Sequence, residues 1–314
     1  MEAITDMDQS WVTHELTARG TADSLIEREW LLSNGTGGYA MGTAAGANTR
    51  RYHGLLVAAT HPPVGRVVAL NNVLEQLTVD DQRYEFSSGI FQGDAGARVF
   101  APAGHEMLQS FRKGLSIRWT YSHGSVEFVR VLHLHWKAQA ATLRYVARGL
   151  AGGKATLRLS PMLTLRDFHS LLKKDQADAP FKVEPTDEAV TVRRGDTAVT
   201  LACEGAAFEA KDNWWFNVHY PLDAERGQGH LEDCYVPGFF ELPVADEQQV
   251  ILTVALDDEP IDAEAWRDDG RAEHLSPLLE HLDEPDDDSQ AHQLKRMLVI
   301  AADDFVVDRF RDDA

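Results

Sequence analysis

From Val126 to Trp136 the chain reads VEFVRVLHLHW, and Val126, Phe128, Leu132, Leu134 and Trp136 fall on one parity. Successive strand side chains point to opposite faces, so this period of two predicts a strand with one face in a core. Arg130 interrupts that apolar face, and His133 and His135 lie on the other. The same period returns in Ala155, Leu157 and Leu159. Val190 and Val192 lead into Arg193-Arg194-Gly195-Asp196 and on to Val199, Leu201 and Cys203, which predicts a hairpin with a Gly-containing turn. Turn chemistry explains the Arg194-Gly195-Asp196 triplet better than an adhesion motif does. Leu55–Ala59 and Val250–Leu256 read as buried strands, the latter ended by Asp257-Asp258-Glu259-Pro260. The chain is therefore expected to be mainly β up to residue 260.

Beyond that the pattern changes. Asp262–Gly270 reads as helical, with Gly270 as its stop. Ser276-Pro277 predicts an N-cap with proline in the first turn, opening a short helix through Leu282. Asp283–Asp288 reads as an acidic connector. From Ser289 onward, Leu294, Leu298, Ala301 and Phe305 recur on one helix face, and a lone amphipathic helix needs a surface to cover, in this chain or in something missing. No internal repeat or low-complexity tract is found.

The 314 residues carry 30 Lys+Arg against 50 Asp+Glu, a formal charge of 30 − 50 = −20. Such a surface repels polyanions, which argues against nucleic acid and against an anionic membrane as partners. A neutral substrate meets no such penalty. With 44% hydrophobic and 25% charged residues the composition is that of a globular protein, and the length fits one large domain or two smaller ones. The first residues, MEAITDMDQSWV, have neither a basic start nor an apolar stretch, so no secretory signal is read. No run approaches the roughly 18 apolar residues of a membrane span. Two cysteines, Cys203 and Cys234, make no disulfide framework, and a reduced cytoplasm is the expected compartment. The acidity also fits a salt-rich cell, where excess carboxylate keeps a surface hydrated.

The densest signal lies between residues 29 and 77. Glu29–Thr43 reads EWLLSNGTGGYAMGT, with Gly35, Gly37 and Gly38 able to take positive φ and to let other groups approach the backbone closely. The spacing is not that of G-x-G-x-x-G, and no βαβ unit surrounds it. Two readings stay open: a tight loop packed under another element, or a loop whose amides meet a ligand or a second domain. Arg50, Arg51, Tyr52 and His53 precede the Leu55–Ala59 strand. Such residues line sugar sites, and they equally line wet domain interfaces. Arg166, Asp167 and His169 follow a strand; Arg166 and Asp167 are neighbours and should face opposite ways. Trp214–Phe240 mixes aromatics with Glu225, Glu232 and Asp233. Glu232 or Asp233 is expected to pair with an arginine such as Arg226 and hold a loop. His133 and His135 lack a third metal ligand at a convincing spacing, and there is no Walker loop or G-x-S-x-G elbow. Neither a metal nor a cofactor is expected. The substrate-binding or interface candidates are Asn34, Gly35, Thr36, Gly37, Gly38, Tyr39, Arg50, Arg51, Tyr52, His53, Arg166, Asp167, His169, Arg226, Glu232 and Asp233.

EWLLSNGTGGYAMGT, followed by NTRRYHGLLVAA and HPPVGRVVALNNVLEQL, resembles the N-terminal domain of bacterial and archaeal-type glycogen debranching enzymes, the amylo-α-1,6-glucosidase family. The resemblance continues in LTLRDFH, ERGQGHLEDCYVPGFF and AADDFVVDRF. It implies a large antiparallel β-supersandwich like the glucoamylase N-domain, followed by a helical linker and an (α/α)6 catalytic barrel. Residues 1–260 would form the sandwich, and 261–314 the linker and the start of a barrel that is missing. The implied parent chemistry is amylo-α-1,6-glucosidase, with 4-α-glucanotransferase activity also ascribed to such enzymes. The implied partners are an α-glucan, glycogen or an oligosaccharide, and the barrel, in cis or as a separate chain.

Inverting glycoside hydrolysis needs two carboxyl groups roughly 6.5–9.5 Å apart. In the family these belong to the barrel, so no catalytic residue is assigned here, and the chain would be a fragment, a truncated product or half of a split enzyme. The pattern also departs from the family at Leu70-Asn71-Asn72-Val73-Leu74-Glu75, where acidic residues are more usual, and at Gly229-His230. Three roles follow: a glucan-positioning domain, an interface that stabilises the barrel without touching sugar, or a transferase using Asp167 with Glu225, Glu232 or Asp233.

Overall fold

The computed structural model describes residues 11, 14–17, 20–150, 152–257, 260–268, 270–280, 282 and 290–308. In chain order the strands are β1 (His14–Thr17), β2 (Glu29–Ser33), β3 (Tyr39–Thr43), β4 (Gly54–His61), β5 (Val64–Val79), β6 (Gln82–Glu85), β7 (Ser88–Gln92), β8 (Arg98–Ala103), β9 (Leu108–Lys113) and β10 (Ile117–His123). They continue as β11 (Val126–Leu134), β12 (Ala140–Arg148), β13 (Ala155–Asp167), β14 (Phe181–Pro185), β15 (Val190–Arg194), β16 (Thr197–Cys203), β17 (Ala207–His219), β18 (Leu231–Val244) and β19 (Gln249–Leu256). The α-helices are α1 (Ala22–Ile26), α2 (Pro221–Glu225), α3 (Gly270–Glu280) and α4 (Gln290–Asp303).

The strands form two antiparallel sheets. The first runs β1-β9-β10-β11-β12-β19-β16-β15-β14, and the second β2-β3-β4-β5-β13-β18-β17-β7-β8, with β6 added to β5. Their inner faces meet in one core, as the alternation requires. Trp30 of the second sheet lies edge-on to Trp119 of the first at 5.6 Å. Phe86, between β6 and β7, stacks on Phe128 at 4.1 Å. The expected hairpin is β15–β16, turning at Gly195 with φ +58°. Arg194 of the RGD triplet donates to Leu165 O at 2.9 Å and pairs with Asp178, so it serves the fold.

Arg130, the interruption in the Val126–Trp136 pattern, is a bridge between the sheets. Its side chain points inward from β11 and is 1% exposed. Nη1 donates to Glu75 Oε1 on β5 at 3.0 Å, and the guanidinium lies over Trp119 at 3.9 Å. Tyr145 donates to the same carboxylate at 3.3 Å. The opposite parity, Val129 and Val131, packs with Val146 in a separate small cluster.

The C-terminal segment departs from expectation at three points. Among the described residues of 262–270 only Ala265–Arg267 form a short 3-10 turn, and Gly270 opens α3 rather than stopping a helix. Ser276 does not cap a helix: Pro277 lies inside α3, and Ser276 Oγ donates to Ala272 O at 2.8 Å. Proline withholds the N–H that would bond the carbonyl of Glu273. Burial of Leu275 and Leu279 against Ile300 of α4 carries the helix through that break. Leu294 and Leu298 of α4, and Phe305 just beyond it, are 55%, 61% and 81% exposed, so the described residues of this chain do not supply the surface for that stripe, whereas His292, Ile300 and Asp303 face inward. Polar anchoring orients α4, because Asp303 accepts from His274 Nε2 at 2.8 Å and Asp304 pairs with Arg271. The acidic connector Asp283–Asp288 lies outside the described residues, as do Ser289, Asp258 and Glu259. Among the described residues no helix is long and apolar enough to cross a membrane.

Breaking a buried pair by removing one partner leaves an uncompensated charge. Arg130→Met is therefore expected to cost about 3–5 kcal/mol in urea denaturation, and Glu75→Leu/Arg130→Met less than Arg130→Met alone. A single-variant loss under about 1 kcal/mol would remove this role from the pair.

Candidate functional site

The glycine loop between β2 and β3 is buried, with Asn34 and Thr36 at 0% and 2% exposure. Asn34 Oδ1 accepts the Thr36 N–H at 3.0 Å, Asn34 N–H donates to Gly38 O at 3.1 Å, and Asn34 Nδ2 donates to Ala138 O at 2.7 Å. Gly37 has φ +94°, and a Cβ there would lie 2.5 Å from Pro63 O. A Cβ on Gly38 would meet Gln139 Oε1 at 2.4 Å. The backbone that the glycines leave bare is taken by groups of this same chain. Asn34 O accepts from Lys137 N–H, Gly35 O from Asp308 N–H, and Gly37 O from Arg66 Nε at 2.7 Å. Ser33 donates through Oγ to Asp304 at 3.0 Å, and Trp136 packs on His274 at 4.8 Å. The loop is packed under other elements of this chain, and the C-terminal helical segment is part of what covers it.

Beside the loop stand Arg50–His53. Arg50 donates to both Glu29 oxygens, at 2.6 and 3.3 Å. The Thr49 N–H donates to His53 Nδ1 at 3.1 Å, which leaves the ring proton on Nε2, 3.2 Å from Glu29 Oε1. Burial pushes the His53 pKa down. Burial alone would raise that of Glu29, but hydrogen bonds from His53 and Arg50 outweigh it and bring the carboxyl to about 2.

Arg51 is a staple. Its backbone N–H donates to Asp223 Oδ2 at 2.8 Å; Nη1 donates to His169 O at 2.9 Å and Nη2 to Gly229 O at 2.7 Å. It thereby ties together α2, the turn after β13 and the loop before β18. Beneath it, Arg166 makes a two-pronged bond with Glu232, Nε–Oε1 2.5 Å and Nη2–Oε2 2.8 Å, and also donates to Arg51 O at 2.8 Å. Glu232 further accepts Leu172 N–H at 2.8 Å and Tyr220 Oη at 2.5 Å, and Tyr220 Oη accepts from Asn71 at 2.9 Å.

The pairing of Glu232 with an arginine is as expected, but the partner is Arg166, not Arg226. Leu163 pairs with Tyr235 across β13 and β18, so Arg166, three residues on, comes beside Glu232, three residues back. Arg226 is exposed where α2 ends, its backbone N–H on Asp223 O. Asp233 accepts from Lys173 Nζ at 3.2 Å and from the Lys174 and Asn217 amides, each at 3.0 Å. Burial would raise its pKa, but the Asn217 and Lys174 amides prevail and lower it. Asp167 is exposed and accepts His169 N–H at 2.8 Å, apart from the Arg166–Glu232 pair as adjacency in a strand requires.

What remains open is a ledge. Tyr52 Oη lies 3.2 Å from His169 Nδ1 and its ring 5.5 Å from that of Phe168. Tyr39 Oη donates to Tyr52 O at 2.9 Å, and Arg66 lies over Phe168 at 5.6 Å. A phenol, an imidazole and a ring edge can bond hydroxyls and pack on an apolar sugar face. Glu232 already accepts at both oxygens inside the chain, which suits an anchor and not an acid–base pair. Sequence reasoning missed Glu29, Asn71, Asp223 and Gln139 as members of this network, and it placed Tyr220 in the Trp214–Phe240 cluster without a partner. Tyr220, before the Pro221 that starts α2, was the most visible signal; the others need the register. Among the described residues no three His, Cys, Asp or Glu side chains gather as a metal site.

Fold and site together define a large two-sheet β-sandwich domain with a helical extension seated on a glycine loop. The chain belongs to the family described as glycogen debranching enzyme N terminal, which matches residues 28–251. No curated protein matches it. Among solved structures it is similar to a bacterial glucoamylase complexed with acarbose, at 10% identity and TM-score 0.33, over 92% of this chain and 36% of that one. It is also similar to a heparinase III gene product (11%, TM-score 0.32, 59% and 23%) and to an α-N-acetylgalactosaminidase from Bifidobacterium bifidum (12%, TM-score 0.24, 82% and 40%). The chain thus spans about a third of the glucoamylase's length.

Because the folded Glu29 carboxyl titrates near 2 instead of 4.5, its stabilisation is present above pH 4.5 and is lost as pH falls towards 2. Glu29→Gln should therefore be less stable than wild type at neutral pH, with the gap in urea midpoints closing between pH 4.5 and 2. A gap independent of pH would contradict the assignment.

Proposed function

We propose that this chain is the non-catalytic N-terminal domain of a glycogen debranching enzyme, with residues 1–260 as the sandwich and 261–314 leading into an (α/α)6 barrel. In this reading the barrel, in cis or as a separate chain, performs the amylo-α-1,6-glucosidase step and any 4-α-glucanotransferase step, in the cytoplasm. Both cysteines are free and buried, which suits a reducing compartment. The family match supports the parent enzyme. The carrying observation is that Arg51 and Arg166 are used internally to hold the Tyr52–His169 ledge in one place, which is how a positioning surface is built. The outward apolar row Leu294, Leu298 and Phe305 supports a helical partner.

A second reading, a domain that only stabilises the barrel, is favoured by the filled glycine loop. Affinity electrophoresis in glycogen gels separates the two. The chain is expected to be retarded, and Tyr52→Ala/His169→Ala to be retarded less. Free migration of the unaltered chain would leave only the stabilising role, in which mixing with a separately expressed barrel should raise that barrel's stability. Incubation with maltotetraose is expected to give no disproportionation; products would revive the stand-alone transferase.

A further inference from the structure

The outer face of the second sheet carries a groove that the proposed function does not use. It encloses about 180 Å³. Residues from β5, β13, β18 and β17 line it, joined by β6 residues and Pro102 of β8. Trp215 stands at one side, held by a small outer-face cluster that includes Met162, Val218 and Cys234, and with Phe91 5.7 Å away. Phe239 lies beneath Arg158, whose guanidinium is 3.9 Å from the ring centre and bonded to Glu241 at 2.7 Å.

Polar groups complete the wall. Ser87 is 1% exposed and its Oγ has no hydrogen-bond partner among the described residues. Asn213 uses Oδ1 to accept Trp214 N–H at 2.9 Å, which keeps its amide hydrogens available. Lys211 adds a donor. The arginines do not make this an anion site, because Arg158 is paired with Glu241 and Arg83 with Glu85. The charge of −20 also opposes anions at long range. An indole wall with hydrogen-bond donors and acceptors around it suits a ligand that has an apolar face and a hydroxylated rim. The volume lies below the roughly 300 Å³ at which drug-sized sites begin, so one ring fits and a chain would run past it.

We propose that this groove binds a single pyranose ring of an α-glucan, as a second contact whose lining residues are distinct from the Tyr52–His169 ledge. The proposal rests on the glucan reading above.

The test is titration of the whole chain with maltotetraose, followed by tryptophan fluorescence and calorimetry. Lys211→Ala/Asn213→Ala changes exposed positions, and Trp215→Ala removes the wall. Loss of two hydrogen bonds predicts binding at this site about tenfold weaker in the double variant. Trp215→Ala should abolish the fluorescence response, while Tyr52→Ala/His169→Ala keeps it. Unchanged titration of Lys211→Ala/Asn213→Ala overturns the groove, even if Trp215→Ala fails to fold. If only the ledge variant loses binding, the groove falls and the positioning function stands. If the unaltered chain binds no maltotetraose, both fall.

Discussion

The organisation of the site depends on one buried ion pair. Arg166 and Glu232 sit side by side on adjacent strands, away from water, where an unmatched charge would cost several kcal/mol. Satisfying both groups recruits Tyr220, the Leu172 amide and the carbonyl of Arg51. Those contacts fix the segments after β13 and before β18. Arg51 then bonds His169 O and Gly229 O, and the ledge takes its shape from these anchors. Charged groups that could be read as ligand-binding are here paired within the chain and hold its segments in place.

The glycine loop plays the corresponding part for the helical segment. Its positive φ angles and missing side chains let Pro63, Trp136 and Gln139 press against the backbone. Its carbonyls then receive donors from β5, from the β11–β12 connection and from the chain after α4. The sandwich core, with Arg130 and Glu75 joining its sheets, holds both ends of this arrangement in register. The helices are thereby tied by polar contacts at the loop, while the apolar row Leu294, Leu298 and Phe305 is turned to the outside.

Strand alternation is a local property, and it was legible from Val126 to Leu134 and in the β15–β16 hairpin. So was the separation of Arg166 from Asp167, since neighbours in a strand point apart. The glycine-rich stretch declared close backbone approach without saying by what. The choice of Arg166 over Arg226 as the partner of Glu232 was not legible, because it follows from the pairing of Leu163 with Tyr235. Nor was the orientation of α4: an apolar stripe argues for burial, yet Asp303 and Asp304, paired with His274 and Arg271 of another helix, set which side faces inward.

The sequence by itself determined a mainly β chain, its hairpins, its family and the residues around which a site would form. Periodicity, turn chemistry and motif spacing act within a few residues, so they survive without coordinates. The tertiary structure alone decided which candidates are anchors and which are open, and it brought β5, β13, β17 and β18 together around a groove. Such choices depend on which distant strands become neighbours and on how each buried charge finds its counterpart, and neither is encoded within any single segment.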